Sequence, residues 1–262
     1  MDKIKVDGLS IAFEQKGKGS PLVLLHGALS DSRMWHRQID ALSDEFTLVA
    51  WDAPGCGNSE DPPKSFSLSD FADSLAGLIE VLNLENPHVI GLSFGGGLAL
   101  ELYHRHPEIP KSLVLASAYA GWAGSLPPEE VEERVKQGLK QSDWPTERVV
   151  EKWIPSLFPE SAPKDVVKET ARIMADFHPV GMRAMLTAFA ESNLYEILTT
   201  IEVPTLLLYG EEDQRSPLEI AKEMEDKIPT SKLVTIPDAG HMISSETPAI
   251  FNSEVRDFLR AI

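Results

Sequence analysis

The pentapeptide Gly91-Leu92-Ser93-Phe94-Gly95 holds the residue best suited to nucleophilic chemistry. It follows the apolar run His88 to Leu92 and opens a stretch of helical period. In a sharp turn from strand to helix, a serine is held in a strained backbone conformation with its hydroxyl exposed, and the residues two positions away must lack side chains. Gly91 and Gly95 meet that requirement. We therefore predict that Ser93 is a nucleophile.

A serine hydroxyl needs a base within hydrogen-bond reach, and that base needs a carboxylate to orient it. The loop Pro237-Asp238-Ala239-Gly240-His241 follows a late apolar run, and Asp213 follows an earlier one. We predict His241 as the base and Asp213 as the residue that orients it. The chain order Ser, Asp, His is the order associated with the nucleophile elbow.

Other carboxylates compete with Asp213 for the orienting role. Glu211 and Glu212 are adjacent to it, and Asp52 ends another apolar run. For Asp52 we favour a different role, because a carboxylate before a Gly/Pro turn commonly binds backbone amides of that turn.

A tetrahedral intermediate needs two preorganised donors for its oxyanion, normally the amide after the nucleophile and one from the loop after an early strand. These positions predict the backbone amides of Phe94 and Ala28. Residues assigned to a substrate pocket are His26, Trp122, Trp153, Met182 and Met242. For His26, shaping its own loop is favoured over direct catalysis, because the position of the base is already filled.

The elements that must position these residues alternate between strands and helices. Six apolar runs are typical of strands buried on both faces: Leu22 to Leu25, Phe46 to Trp51, His88 to Leu92, Leu113 to Ala116, Thr205 to Tyr209 and Leu233 to Ile236. A β-hairpin is predicted around Asp7-Gly8. Ser67 and Asp70 form a capping pair before a helical period. Such alternation builds a mostly parallel, doubly wound sheet with ligands at the carboxyl ends of its strands.

The alternation stops after Tyr119 and resumes near Val203. The intervening residues show helical periods and many prolines. We therefore predict a core domain of residues 1–118 and 201–262, with residues 119–200 inserted as a helical cap over the active site.

Composition excludes several classes of partner. The chain has 41 acidic and 24 basic residues, a formal net charge of −17, which repels nucleic acid and anionic lipid. Cys56 is the only cysteine, so no intrachain disulfide can form. No secretory core or membrane-spanning run is present. We expect a cytoplasmic protein, a monomer or homodimer, without a metal or other cofactor.

These motifs resemble the α/β-hydrolase superfamily over nearly the whole chain. The resemblance covers His26-Gly27, the loop from Asp52 to Ser59, the elbow at Ser93, the segment from Val203 to Asp213, and Ala239-Gly240-His241. It implies an α/β-hydrolase fold with a helical cap insertion. A serine at the elbow separates the chain from branches that use aspartate there.

The resemblance implies a serine hydrolase that cleaves a small-molecule ester or lactone. The segment from His178 to Ala188 and Trp153 look in part like the cap of 3-oxoadipate enol-lactonases. A substrate carboxylate could then pair with Arg183 or Arg33, although a solvated surface position is favoured for each, because a surface arginine is seldom a ligand contact. Carbon–carbon bond hydrolysis, perhydrolysis and slow-turnover ligand binding stay open, because the same fold supports all of them.

Overall fold

In the computed structural model, which describes residues 1–262, the chain opens with the β-hairpin that the sequence predicts. Strands β1 (Asp2–Val6) and β2 (Leu9–Gly17) pair antiparallel. The two residues between them both have positive φ, 48° at Asp7 and 88° at Gly8. A two-residue turn of this kind matches the right-handed twist of the strands, and Asp-Gly tolerates it well.

The hairpin extends a sheet whose other six strands are mutually parallel. These six are β3 (Ser20–Leu25), β4 (Phe46–Trp51), β5 (His88–Leu92), β6 (Ser112–Ala116), β7 (Thr205–Gly210) and β8 (Ser231–Ile236). The strand order is β1-β2-β4-β3-β5-β6-β7-β8, with β2 antiparallel to β4. The predicted mostly parallel sheet is confirmed, and all six apolar runs are strands.

Strands β5 and β6 lie in the middle of the sheet and are buried along their whole length. From β3 the chain moves to β4 on one side and later to β5 on the other, so the strand order reverses between β3 and β5. A reversal of this kind opens a crevice at the carboxyl ends of the strands, where ligands bind in open α/β sheets.

Helices connect the strands. Those outside the β6–β7 connection are α1 (His36–Leu42), α2 (Leu68–Val81), α3 (Phe94–Arg105), α8 (Leu218–Lys227), α9 (Ile243–Glu246) and α10 (Pro248–Arg260). Helix α2 begins with the predicted capping box between Ser67 and Asp70. Helices α2 and α3 pack on each other, as do α1 and α10. No helix is both long and apolar enough to cross a bilayer.

The connection from β6 to β7 contains no strand, one short 3-10 helix (Glu196–Thr200) and four α-helices. They are α4 (Pro128–Gln141), α5 (Thr146–Leu157), α6 (Lys164–Met174) and α7 (Pro179–Glu191). We call α4 to α7 the cap helices. The division of the chain into a core of residues 1–118 and 201–262 and a cap of residues 119–200 stays a prediction.

Candidate active site

Ser93 lies between the last residue of β5 and the first residue of α3, with φ 55° and ψ −113°. A non-glycine residue in this region costs of the order of 1–3 kcal/mol, so the surrounding structure must hold it there. The Ser93 amide donates to the Ala116 carbonyl at 2.9 Å. A Cβ at Gly91 would lie 2.1 Å from the Gly95 oxygen, and one at Gly95 would lie 2.2 Å from the Leu25 oxygen. Gly91 therefore lets β5 and α3 meet at this turn, and Gly95 lets α3 approach the end of β3.

His241 and Asp213 form a buried hydrogen-bonded pair. The imidazole Nδ1 lies 2.9 Å from Oδ2 and 3.1 Å from Oδ1 of the carboxylate. Only 2% of His241 and 6% of Asp213 are exposed. Because an ionised carboxylate can only accept, Nδ1 carries the proton and Nε2 keeps its lone pair. The geometry leaves Nε2 free to act as a base.

Backbone amides fix the Asp213 carboxylate from its other side. Oδ1 accepts from the amides of Arg215 and Ser216, each at 2.9 Å. Burial raises the pKa of Asp213, but the His241 imidazole and the Ser216 amide outweigh it and hold the pKa below its ordinary value. Asp213 therefore stays ionised at neutral pH.

The competing carboxylates lie elsewhere. Glu211 and Glu212 are exposed and do not bond His241. Asp52 accepts from the amides of Ser32 at 2.9 Å and Asn58 at 2.8 Å. It anchors the loop that follows β4, as its position before a Gly/Pro turn indicates.

The backbone around His241 is held by two further contacts. The His241 amide donates to the Leu157 carbonyl at the end of α5, at 3.0 Å. The Glu246 carboxylate accepts from the Gly240 amide at 3.0 Å and from the Met242 amide at 2.9 Å. Burial raises the pKa of Glu246 to about 7, although both amides oppose the shift. Glu246 thus binds the backbone amides on either side of His241.

Ser93 and His241 line one cavity between the sheet and the cap helices. Twelve of its 18 lining residues are hydrophobic, including Trp122, Trp153 and Phe189. No hydrogen bond joins the Ser93 hydroxyl to His241. In substrate-free enzymes such bonds are often long and tighten when substrate binds. The cavity can hold a small, largely apolar molecule against the serine.

Ala28 and Phe94 also line this cavity. The Ala28 amide donates to no atom of the protein. Phe94 is the first residue of α3, where a backbone N–H has no partner within the helix. Both amides are thus available to an oxygen bound beside Ser93. Their role as an oxyanion hole stays a prediction.

Two of the five predicted pocket residues do not line the cavity, and their assignment is corrected. The His26 imidazole accepts from the Ala53 amide at 3.0 Å and donates from Nδ1 to the Gly27 oxygen at 2.8 Å. It therefore joins the loops after β3 and β4. Met182 is buried in α7 outside the lining, whereas Trp122, Trp153 and Met242 belong to it.

The two arginines considered as partners of a substrate carboxylate lie outside the cavity. Arg33 pairs with Asp31 and Asp176, and Arg183 pairs with Asp143. Neither arginine lines the cavity. The arginine that does is Arg215, which the sequence analysis missed. Its position two residues after the orienting acid, in the loop after β7, is the signal that could have found it.

Glu246 was missed as well. It follows His241 by five residues in a short segment of small and apolar side chains, and a lone carboxylate there indicates a buried hydrogen-bonding role. The structure contains no group of three or more histidine, cysteine, aspartate or glutamate side chains that could hold a metal ion.

Comparison with known proteins identifies the family of this chain. A model of the alpha/beta hydrolase family matches residues 22–254. The structure of a thermophilic esterase from Thermogutta terrifontis, determined with malate bound, is 30% identical in sequence. The similarity covers 100% of this chain and 99% of that chain, with a TM-score of 0.92.

Two further proteins are similar over almost their whole length. An (E)-2-((N-methylformamido)methylene)succinate hydrolase from Acinetobacter baylyi is 27% identical over 94% of this chain and 92% of that protein. The enol-lactonase from Burkholderia xenovorans is 22% identical, with a TM-score of 0.91 over 99% of this chain and 100% of that chain. The latter similarity shows a shared fold.

Proposed function

The chain belongs to the alpha/beta hydrolase family, and we propose that it is a serine hydrolase that cleaves small carboxylic esters or lactones through an acyl-enzyme on Ser93. The observation that supports this most is the buried Asp213–His241 pair, which faces the same cavity as the strained Ser93. A relative at 30% identity is an esterase, which is consistent with the proposed reaction.

The reaction begins when His241 Nε2 takes the proton of the Ser93 hydroxyl as its oxygen attacks the substrate carbonyl. The carbonyl π electrons move to the oxygen, which accepts hydrogen bonds from the amides of Ala28 and Phe94. Asp213 holds the imidazole in its tautomer and stabilises the imidazolium that forms.

The intermediate then collapses. The bond from carbon to the leaving alcohol oxygen breaks, and His241 gives its proton to that oxygen. Water, deprotonated by the same imidazole, attacks the acyl-enzyme and releases the acid and the free Ser93. In a lactone the alcohol and the acid are parts of one product.

Replacing the nucleophile tests the proposal. Ser93→Ala should lower kcat for a short-chain nitrophenyl ester by at least roughly a thousandfold, because the acyl-enzyme can no longer form. Ser231 begins β8, at the end of the strand away from the His241 loop. Ser231→Ala is therefore the matched control and should keep the parent rate. A fluorophosphonate should label the parent at Ser93 and leave the alanine variant unlabelled. Equal turnover by Ser93→Ala and the parent protein would refute the mechanism.

Other reactions on the same residues give different products. Cleavage of a vinylogous diketone would indicate a carbon–carbon bond hydrolase, and peroxide-dependent halogenation in acetate would indicate a perhydrolase. A protein that ignores all esters and the fluorophosphonate, yet is stabilised thermally by a small ligand, would be a binding protein. A cytoplasmic location and a monomeric or homodimeric state stay predictions.

A further inference from the structure

Arg215 is the only basic residue with a permanent charge in the lining of the catalytic cavity, and no carboxylate lines that cavity. Five arginines of the chain are partly buried: Arg37, Arg134, Arg183, Arg215 and Arg256. Four of them have a carboxylate within 4.0 Å. Arg215 has none. A desolvated guanidinium without a counter-ion is costly, so an anion that reaches it is stabilised.

The Arg215 guanidinium is held in place, but most of its N–H donors have no hydrogen-bond partner in the protein. It lies over the Trp153 ring, 4.4 Å from the centroid, and Nη1 donates to the Ser156 hydroxyl at 3.0 Å. Nε and Nη2 donate to no protein atom. An arginine has five N–H donors in a planar fork that fits a carboxylate, so most of this fork remains available.

A second, polar cavity adjoins the catalytic one. Trp122, Trp153 and Arg215 line both cavities and lie where they meet. The polar cavity is also lined by Arg134 and Lys152 and by no acidic residue. Arg134 pairs with Glu130, so Arg215 and Lys152 are the cations of this lining that have no carboxylate partner within 4.0 Å.

The electrostatics around the Arg215 guanidinium support the same interpretation. Burial is the main cause that lowers the pKa of Arg215, and the nearby Arg134 charge acts in the same direction. The Asp213 carboxylate does not neutralise it, because it lies beyond ion-pair distance and already accepts from His241 and two amides. Tyr119 and Asp213 oppose this shift from a distance, but no carboxylate forms an ion pair with Arg215.

We infer that Arg215 binds an anionic group of the substrate, so that the ester or lactone cleaved at Ser93 carries a carboxylate away from its scissile bond. The inference rests on the proposed function, because it names the substrate class of the same cavity. The apolar lining accommodates the carbon chain between the two ends, and the fork of Arg215 accepts the charged end.

Matched ester pairs test this inference. In the first pair, a nitrophenyl monoester of glutarate and nitrophenyl pentanoate have the same number of acyl carbons and differ in one terminal carboxylate. In the second pair, the charge is in the alcohol half, as in butyryl glycolate against ethyl butyrate. The parent protein should have the higher kcat/KM for the charged member of at least one pair.

Arg215→Gln should reduce that charged-to-neutral ratio by about tenfold or more, the effect expected from losing a charge-assisted hydrogen bond. The loss should appear mainly in KM. Arg215→Lys keeps the charge and should retain part of the preference. Arg148→Gln is the matched control, because Arg148 also stacks on a tryptophan, Trp144 at 3.9 Å, but lies outside both cavities. It should keep the parent ratio.

A binding measurement separates this inference from the proposed function. Glutarate should raise the Tm of Ser93→Ala and should not raise that of Ser93→Ala/Arg215→Gln, whatever the reaction is. If esters are cleaved through Ser93 with no preference for the charged member, and Arg215→Gln leaves the ratio unchanged, the inference is overturned while the proposed function stands. If no ester is cleaved through Ser93, the proposed function fails, and glutarate binding alone decides the role of Arg215.

Discussion

At the scale of single residues, the site depends on a few positions whose backbone or protonation is fixed by their surroundings. Ser93 has a positive φ at a turn where Gly91 lets β5 approach α3 and Gly95 lets α3 approach the end of β3. His241 keeps its proton on Nδ1 because the Asp213 carboxylate can only accept. Each of these constraints can be removed by one substitution.

Replacing Asp213 with asparagine should lower kcat by roughly three to four orders of magnitude, as expected when the histidine takes the wrong tautomer. The asparagine amide can donate to Nδ1, which would place the proton on Nε2 and remove the base. The measurement is nitrophenyl ester hydrolysis at neutral pH, with circular dichroism to check folding.

Glu211→Gln is the control for this substitution. Glu211 lies two residues from Asp213, and this substitution also changes a carboxylate to an amide. Glu211 is exposed, and its carboxylate accepts one long hydrogen bond, from the Thr235 hydroxyl at 3.4 Å. It should keep the parent rate. If Glu211→Gln lost as much activity as Asp213→Asn, Asp213 would not be the orienting acid.

At the scale of elements, the loop after β8 is positioned by groups outside it. Leu157, at the end of α5, accepts the His241 amide, and Glu246, at the end of α9, accepts the amides of Gly240 and Met242. The backbone around His241 is therefore held by a cap helix on one side and by a buried carboxylate on the other. The carboxylate makes this arrangement sensitive to pH.

Because burial raises the pKa of Glu246 from 4.5 to about 7, the folded protein retains a proton that the unfolded chain loses between these pH values. The contribution of Glu246 to the free energy of unfolding should therefore fall as pH rises through this window, by up to roughly 3 kcal/mol. Glu246→Gln cannot ionise, so its free energy of unfolding should fall less between about pH 4.5 and pH 7. Urea unfolding of parent and variant at both ends of the window measures the difference.

Glu225→Gln controls for the loss of a carboxylate that accepts from an amide. Glu225 accepts from the Leu233 amide at 2.8 Å but is exposed. This variant should reproduce the pH dependence of the parent. An unchanged pH slope in Glu246→Gln would contradict the role assigned to its burial.

At the scale of the whole molecule, the cap helices meet the sheet's loops at close range. Gly181 in α7 faces Gly55 in the loop after β4, and a Cβ at Gly181 would lie only 1.8 Å from the Gly55 oxygen. Gly55 has φ 79°, a conformation that favours glycine. These two backbones touch, and this contact helps to seat α7 above the cavity.

Gly181→Ala should lower the free energy of unfolding by about 2 kcal/mol, because the added methyl group must push two backbones apart. Helix propensity alone predicts the opposite sign, a gain of about 1 kcal/mol. Gly138→Ala in α4 is the control, since its Cβ would meet only the flexible end of Leu186, at 2.6 Å. Denaturant unfolding compares the two. A Gly181→Ala protein more stable than the parent would show that the contact does not constrain the cap.

The local patterns of the sequence predicted most of the sheet and indicated the candidate reacting residues. Apolar runs identified the six parallel strands, Asp7-Gly8 identified the hairpin, and the small-residue turn identified Ser93. These features are local, because an apolar run or a turn that requires positive φ is set by residues only a few positions apart. The carboxyl ends of parallel strands lie at one edge of the sheet. The positions of Ser93, Asp213 and His241 after three such strands therefore also predicted that they lie near one another.

What the sequence determined by itself was the kind of fold and the residue types at the ends of its strands. Only the tertiary structure decided which side chains face the cavity: Arg215 does, while Arg33 and Arg183 pair with carboxylates elsewhere. It also decided that His26 joins two loops and that Glu246 holds the His241 loop. The physical reason is that these roles depend on distances and burial between segments far apart in the chain, which no local periodicity encodes.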